Sequence, residues 1–299
     1  MRISERMRYD IVNNRVQDAK ADNANAMERL SSQKEIQKLS DNPVGAAQMI
    51  RYRDDIEGLR QFQNNIEYSK GFLDRSEEAL KSISDNLIRA KELAVGMAND
   101  TVDKNSRAAT ALEVREIIDE VSQLANTTFN GRYIFGGFRN QTPCLSLDGD
   151  YLGDDGRIFL EVSQGNFRPI NLIGRDIFQA SPAEKEKGHY DMMTTLDVLY
   201  DGMMNSDKAL MHSALNELDF QLEKTTSSHA TLGAIGNSFK QSSDRLGSEE
   251  VLMRSRLSKV QDTDVYQATS DFKRTEAVLQ GTLSSSTKLL QPSLLNFLQ

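Results

Sequence analysis

Three histidines are the residues of this chain whose type most readily supports chemistry. His189, His212 and His229 are too far apart in sequence for the motif in which two ligands share one helical turn. We therefore expect each histidine at a surface or an interface, and no metal site among them. No serine lies in a nucleophile elbow, and no glycine-rich loop has the spacing of a phosphate cradle. The sequence accordingly predicts no catalytic residue, no enzyme activity and no cofactor.

Two acidic turns and one cysteine complete the candidates. Asp148-Gly149-Asp150 and Asp154-Asp155-Gly156 lack the alternating oxygen ligands and the closing glutamate of an EF-hand calcium loop. Tight turns favour the same two residue types, so we interpret both segments as turns. Cys144 is the only cysteine, which excludes an intrachain disulfide and a cysteine-rich metal site.

Composition and charge restrict the partners. The net charge is −8, and the first 58 residues hold ten basic and ten acidic side chains without a basic block. Nucleic-acid binding draws on clustered Lys and Arg, so we expect no nucleic-acid partner. No apolar run approaches the roughly 18–20 residues of a membrane span, so we expect no membrane insertion. The amino terminus also lacks the basic and apolar stretches of a cleaved signal peptide.

A seven-residue repeat between residues 54 and 98 is the strongest structural signal. A second apolar line lies three residues further along, weakened by Ser69 and Ser76, and such heptads are typical of long helices packed side by side. The start of this helix is marked by Ser40-Asp41-Asn42-Pro43, in which each of the three polar side chains can accept from a free amide and Pro43 suits the first turn. Its end is marked by Gly96 and the polar Asn99-Asp100-Thr101. A following helix is expected to fold back antiparallel. The predicted bundle core consists of Leu59, Ile66, Leu73, Leu80, Leu87, Val114, Ile117, Val121 and Leu124.

Both ends of the chain carry a similar period with fewer large apolar groups. On the amino-terminal side, the period falls on Val12, Val16, Ala19, Asn23, Ala26 and Leu30. Ordering a backbone costs about 1–2 kcal/mol per residue, which so thin a stripe cannot offset alone. We expect both ends to be disordered in the monomer and to fold against other subunits. The predicted assembly interface consists of Met7, Val12, Val16, Leu30, Phe272, Leu279, Leu283, Leu290, Leu294 and Phe297.

The middle of the chain changes character. Asn130-Gly131 is a strong hairpin signal, and residues 158–162 and 170–173 have the alternation of strands. The fold class is therefore mainly α: an elongated antiparallel helical bundle or coiled-coil rod with a small β-rich domain inserted in the middle. We divide it into terminal coiled-coil segments 1–42 and 257–299, a helical bundle core 43–139 and 188–256, and an outer β-rich domain 140–187.

Several short motifs together resemble the flagellin superfamily, and within it the hook–filament junction family. They are Met1-Arg2-Ile3-Ser4, Ser40-Asp41-Asn42-Pro43-Val44-Gly45-Ala46-Ala47, Leu87-Ile88-Arg89-Ala90-Lys91-Glu92-Leu93-Ala94, Leu124-Ala125-Asn126, Gly131-Arg132-Tyr133-Ile134-Phe135-Gly136-Gly137 with Thr142-Pro143, Leu232-Gly233-Ala234 and Pro292-Ser293-Leu294-Leu295-Asn296-Phe297-Leu298. Two positions depart from the family. Gln33-Lys34-Glu35-Ile36 stands where the family often has Gly-Lys-Arg-Ile, and Pro292 is more similar to a flagellin tail.

The resemblance implies a structural subunit of the bacterial flagellum that forms the junction between hook and filament. It further implies export through the flagellar type III gate without a cleaved signal peptide, an export chaperone on the carboxy-terminal segment, and an extracellular location. Its expected partners are other copies of itself, hook-associated protein 1 and flagellin. The alternatives are flagellin, the bulk filament subunit, and a cytosolic coiled-coil adaptor with ordered ends.

Overall fold

The computed structural model describes residues 2–99, 101–146 and 149–290, which are predominantly helical. The described elements in chain order are α1 Arg2–Ser32, α2 Pro43–Met97, α3 Lys104–Ala125, β1 Thr128–Phe129, β2 Arg132–Tyr133, β3 Phe159–Ser163, β4 Asn166–Pro169, α4 Gly174–Phe178, α5 Pro182–Glu186, α6 Met192–Asn205, α7 Lys208–Gln261 and α8 Val265–Leu290. Long helices flank a middle region with two small antiparallel sheets. This confirms the mainly α fold class with β structure inserted in the middle.

The chain divides into two compact units. The terminal unit comprises the residues up to Gly58 and those from Glu249 onward, and the central unit runs from Leu59 to Ser248. Both boundaries fall inside long helices, α2 and α7.

In the central unit, the heptad of α2 is completed by two buried serines. Ser69 and Ser76 are 0 % and 2 % exposed, and their hydroxyls donate to the carbonyls of Asn65 and Phe72 at 2.8 Å. A serine that bonds to the carbonyl four residues earlier leaves no unpaired donor in the core. The two serines can therefore occupy buried heptad positions of α2 despite their polarity.

The start of α2 is capped by Asn42, because its Oδ1 accepts from the amide of Gly45 at 3.0 Å.

The turn between α2 and α3 brings the two helices back antiparallel. The side chain of Asp103 caps α3 by accepting from the amide of Ser106. Arg89 and Glu113, which lie about equally far from the turn, form an ion pair of 2.7 Å.

The first hairpin has the predicted turn. Asn130 and Gly131 have φ values of +50° and +76°, the combination that a two-residue hairpin turn requires. They connect β1 and β2, in which Thr128 pairs with Tyr133.

The second hairpin corrects a predicted strand. Residues 170–173 were expected to form a strand, but β4 lies at Asn166–Pro169, where Phe159 pairs with Pro169. The reason is Gly165, whose φ of +72° closes the turn immediately after β3. Asn171 instead uses its side chain, accepting from the amide of Ile158 at 2.7 Å and donating to the carbonyl of Gly156 at 2.8 Å.

The terminal unit contains a small core around the segment that joins α1 to α2. Ile36, Ala46 and Ile56 are buried there. Gln33 adopts a φ of +56°, a region that favours glycine. The chain therefore holds a non-glycine residue in a strained conformation just after α1.

Candidate assembly surface

The three histidines do not form a shared cluster, and His212 is exposed on α7. The His189 ring stacks on Phe220 with a centroid distance of 3.9 Å. Its Nδ1 lies 3.1 Å from Oε1 of Glu217, whose carboxylate also accepts from the amide of Tyr190. His229 lies 3.5 Å from Glu77 on α2. Within the described residues, no group of three or more His, Cys, Asp or Glu side chains could hold a metal ion.

The acidic turns and the cysteine make structural contacts. Oδ1 of Asp154 accepts from the amides of Phe138 at 2.7 Å and Gly156 at 2.9 Å. Asp155 pairs with Arg175 at 2.7 Å, whereas Asp148 lies outside the described residues. The thiol of Cys144 is fully buried and donates to the carbonyl of Ala125 at 2.8 Å. Burial raises the pKa of this thiol to about 12, which disfavours the reactive thiolate.

The nine residues predicted for the bundle core all lie in the central unit. Seven of them are buried: Ile66, Leu73, Leu80, Leu87, Val114, Ile117 and Val121. Leu59 and Leu124 are half-buried and pack against the same apolar cluster. In the ranges that the structure describes, no helix combines the length and the hydropathy of a membrane crossing.

In the terminal unit, α1 and α8 lie side by side and antiparallel. A short backbone bridge joins the end of α1 to the start of α8, because the amide of Glu35 donates to the carbonyl of Gln261 at 2.8 Å and the amide of Thr263 donates to the carbonyl of Gln33 at 3.1 Å. Further along, Nδ2 of Asn23 donates to Oγ1 of Thr275 at 3.3 Å. The two helices therefore form a seam between the two ends of one chain, which we call the terminal seam.

The residues of the terminal seam repeat every three and four positions on both helices. On α1, the buried or half-buried positions are Val12, Val16, Ala19, Asn23, Ala26 and Leu30. On α8, the same spacing joins Ala268, Phe272, Thr275, Leu279, Thr282 and Ser286, which are also buried or half-buried. This alternation is the heptad of a coiled coil. Most of its members are small or polar.

The structure brings together only part of the predicted assembly interface. Val12, Val16 and Leu30 lie on the α1 side of the terminal seam, and Phe272 and Leu279 lie on the α8 side. Met7 and Leu283 point away from it, with 64 % and 42 % of their surface exposed. Leu290 is the last residue of α8, and Leu294 and Phe297 lie outside the described residues.

Apolar side chains that face solvent concentrate in the terminal unit. This unit has little more than a third of the chain but more than half of the exposed large apolar side chains described. They are Met7, Tyr9, Ile11, Met27, Leu39, Val44, Ile50, Val251, Leu252, Val265, Tyr266, Val278 and Leu283. Exposed apolar groups gathered in one part of a protein are typical of an interaction surface.

The net charge is distributed in the opposite way. The terminal unit contains 16 Lys and Arg against 16 Asp and Glu, which leaves 20 against 28 of the chain's 36 and 44 for the central unit. The whole excess of −8 therefore belongs to the central unit. A neutral unit can pack closely with its own copies without net repulsion, whereas a charged unit favours solvent.

Comparison with known proteins points to one family. Residues 3–140 match the bacterial flagellin N-terminal helical region, and residues 215–298 match the bacterial flagellin C-terminal helical region. Flagellar hook-associated protein 3 of Salmonella typhimurium is 25 % identical over 98 % of both chains. A flagellin of Halalkalibacterium halodurans is 23 % identical over 85 % of this chain and 83 % of its own. The crystal structure of FlgL from Bacillus cereus, 24 % identical, has the same fold, with a TM-score of 0.60 over 70 % of this chain and 99 % of its own.

Proposed function

Because this chain belongs to the flagellin superfamily and, within it, to the hook-associated protein 3 group, we propose that its terminal unit is the part that joins neighbouring subunits. The chain is a structural subunit of the bacterial flagellum at the hook–filament junction. One observation carries the proposal: the terminal seam leaves apolar side chains such as Met7 and Leu283 facing outward. Copies of the chain packed side by side would cover them.

The composition of the terminal seam supports folding on assembly. Ala19, Asn23 and Ala26 occupy three successive seam positions of α1, where they bury little apolar area. Stability falls by roughly 0.8 kcal/mol for each buried methylene that is missing, so this seam holds its helices weakly. In our proposal, α1 and α8 are disordered in the dilute monomer and become ordered when neighbouring copies cover their outward faces.

The wider setting follows from the family. We propose that the chain is exported unfolded through the flagellar type III gate, with a chaperone on its carboxy-terminal segment, and assembles outside the cell. There it would form a ring between hook-associated protein 1 and the first layer of flagellin. The presence of a single cysteine, Cys144, is consistent with a chain that is exported unfolded, without disulfide bonds, and folds outside the cell.

Removal of residues 285–299 tests the proposal. The truncated chain should retain the central unit, with the thermal transition of its helices unchanged, but should not be incorporated at the hook tip. Cells that express only this chain should therefore lack filaments and secrete flagellin into the medium. Normal filament assembly by the truncated chain would overturn the proposal.

A pair of point variants gives a matched control. Leu283 in the terminal unit and Leu112 in the central unit are both exposed, at 42 % and 61 %. Leu283→Ser should reduce incorporation, whereas Leu112→Ser should leave it unchanged, because only the first side chain is expected to be covered by another copy.

Seeded growth separates the proposed junction subunit from flagellin. If purified protein elongated without limit on a filament seed, it would be a bulk filament subunit.

A further inference from the structure

One layer of the terminal seam is polar, and its two side chains are joined by a hydrogen bond. Nδ2 of Asn23 donates across the seam to Oγ1 of Thr275 at 3.3 Å. The hydroxyl of Thr275 in turn donates to the carbonyl of Phe272 at 2.9 Å. The threonine therefore uses both of its functions, as an acceptor from α1 and as a donor within α8.

Most of the remaining layers pair residues of unlike size. If the register of Asn23 and Thr275 is continued along the antiparallel helices, Leu30 faces Ala268, Ala26 faces Phe272 and Ala19 faces Leu279. Val16 and Val12 then face Thr282 and Ser286. Three of these layers thus pair alanine with a larger side chain, whereas Val16 and Thr282 are nearly equal in size.

A slip of one heptad would leave most of these layers acceptable. Moving α8 by seven residues, about 10 Å along the axis, places Ala19 against Phe272 and Val12 against Leu279, again a small or medium side chain against a large one. The polar layer does not tolerate the slip. Asn23 would face Ala268, which has no side-chain acceptor, and its amide would lose its partner.

We propose that Asn23 and Thr275 are the register-determining pair of the terminal seam. A polar layer in an otherwise apolar coiled coil favours the register in which both of its members are paired. A slip of one heptad in one direction leaves Asn23 against Ala268, and a slip in the other direction places Asn23 against Thr282 but leaves Thr275 against Leu30. The selected register fixes where Leu283 of α8 lies relative to Met27 of α1 on the outward face. The consequence for assembly rests on the proposed function, whereas the register itself is a property of one chain.

Cysteine cross-linking in the full-length chain measures the register. Val12→Cys with Ser286→Cys reports the native register, and Ala26→Cys with Val265→Cys reports the register slipped by one heptad. The rate of intrachain disulfide formation is compared at high dilution under a mild oxidant, which traps the terminal seam each time it forms transiently, and single-cysteine chains measure any reaction with Cys144. Because both pairs enclose loops of similar length, a chain without register preference would form them at similar rates.

We expect the native pair to form about tenfold faster than the slipped pair, the ratio that about 1.4 kcal/mol supplies. In the double variant Asn23→Leu with Thr275→Val, this ratio should fall several-fold, and the backbone bridge between Glu35 and Gln261 accounts for the preference that remains. Thr282→Val is the control, because the hydroxyl of Thr282 donates within α8 to the carbonyl of Val278 at 2.8 Å and its removal should leave the ratio unchanged. A tenfold ratio that persists in the double variant would overturn the proposal, and so would equal rates in the native sequence.

Junction formation by the double variant separates the two proposals. A lowered ratio together with poor incorporation at the hook tip supports both the register pair and the assembly role of the terminal unit. A lowered ratio with normal incorporation supports the register pair and counts against that assembly role.

Discussion

Arg107 carries a buried charge that closes the end of α2, and its removal should be costly. The side chain is 6 % exposed, with Nε donating to the carbonyl of Met97 at 3.0 Å and Nη2 donating to the carbonyl of Asn99 at 2.9 Å. A hydrogen bond to a charged group contributes about 1.5–3 kcal/mol. In Arg107→Met, water can hydrogen-bond to the two carbonyls that lose their partner, because the turn after α2 is exposed. This offsets part of the free energy that the two hydrogen bonds contribute. We expect a net loss of about 2–4 kcal/mol in the stability of the central unit.

Hydrogen exchange of the amides of α3 measures this loss in the full-length chain, because it reports the central unit alone. Arg115→Met, on the same helix, is the matched control. Arg115 is exposed and reaches Asp119 and Asp197 only at 3.9 Å, so its replacement should cost less than about 0.5 kcal/mol. Equal protection in the two variants would refute the capping role of Arg107.

Two further predictions concern ionisable groups. The thiol of Cys144, with its pKa raised to about 12 by burial, should react with a maleimide at pH 8 at least roughly 100-fold more slowly in the folded chain than in urea, and equal rates would contradict its burial. The hydrogen bond from the amide of Ser181, helped by its hydroxyl and by Lys224, lowers the pKa of Glu184 below the usual 4.5. Its stabilisation of α5 should be complete above pH 4.5 and disappear as the pH falls through the lowered pKa, whereas Glu184→Gln should remove this pH dependence from the amide exchange of α5.

Features set by neighbouring residues could be predicted from the sequence. Ser40-Asp41-Asn42-Pro43 identified the start of α2 because a capping side chain and a proline act on amides within one turn, and the structure selects Asn42 among the three polar candidates. Asn130-Gly131 identified the first hairpin because the residue types alone permit its two positive φ values. The heptads likewise identified the buried face of α2, since helical periodicity follows from the backbone.

Features that depend on distant partners could not be predicted in this way. Ser206 breaks the helical run after α6 with a φ of +54°, although serine has no local preference for that conformation. The burial of Arg107 depends on two carbonyls on the other side of a turn. Asn23 was among the periodic residues predicted on the amino-terminal helix. Its role as a polar layer depends on Thr275, which is 252 residues away in the sequence.

The two heptad seams of this chain differ in a way that suits their different tasks. The seam of α2 in the central unit contains Leu73, Leu80 and Leu87, whereas Ala19 and Ala26 occupy equivalent positions in the terminal seam. An alanine in place of a leucine lacks three carbons, so each such position contributes roughly 2.4 kcal/mol less at about 0.8 kcal/mol per buried methylene. The weaker seam retains its specificity through hydrogen bonding, which selects a register without adding much stability. In the proposed function, a terminal unit of this kind separates for export and still pairs in one register afterwards, and the outward faces of neighbouring copies supply the apolar area that is missing from its own seam.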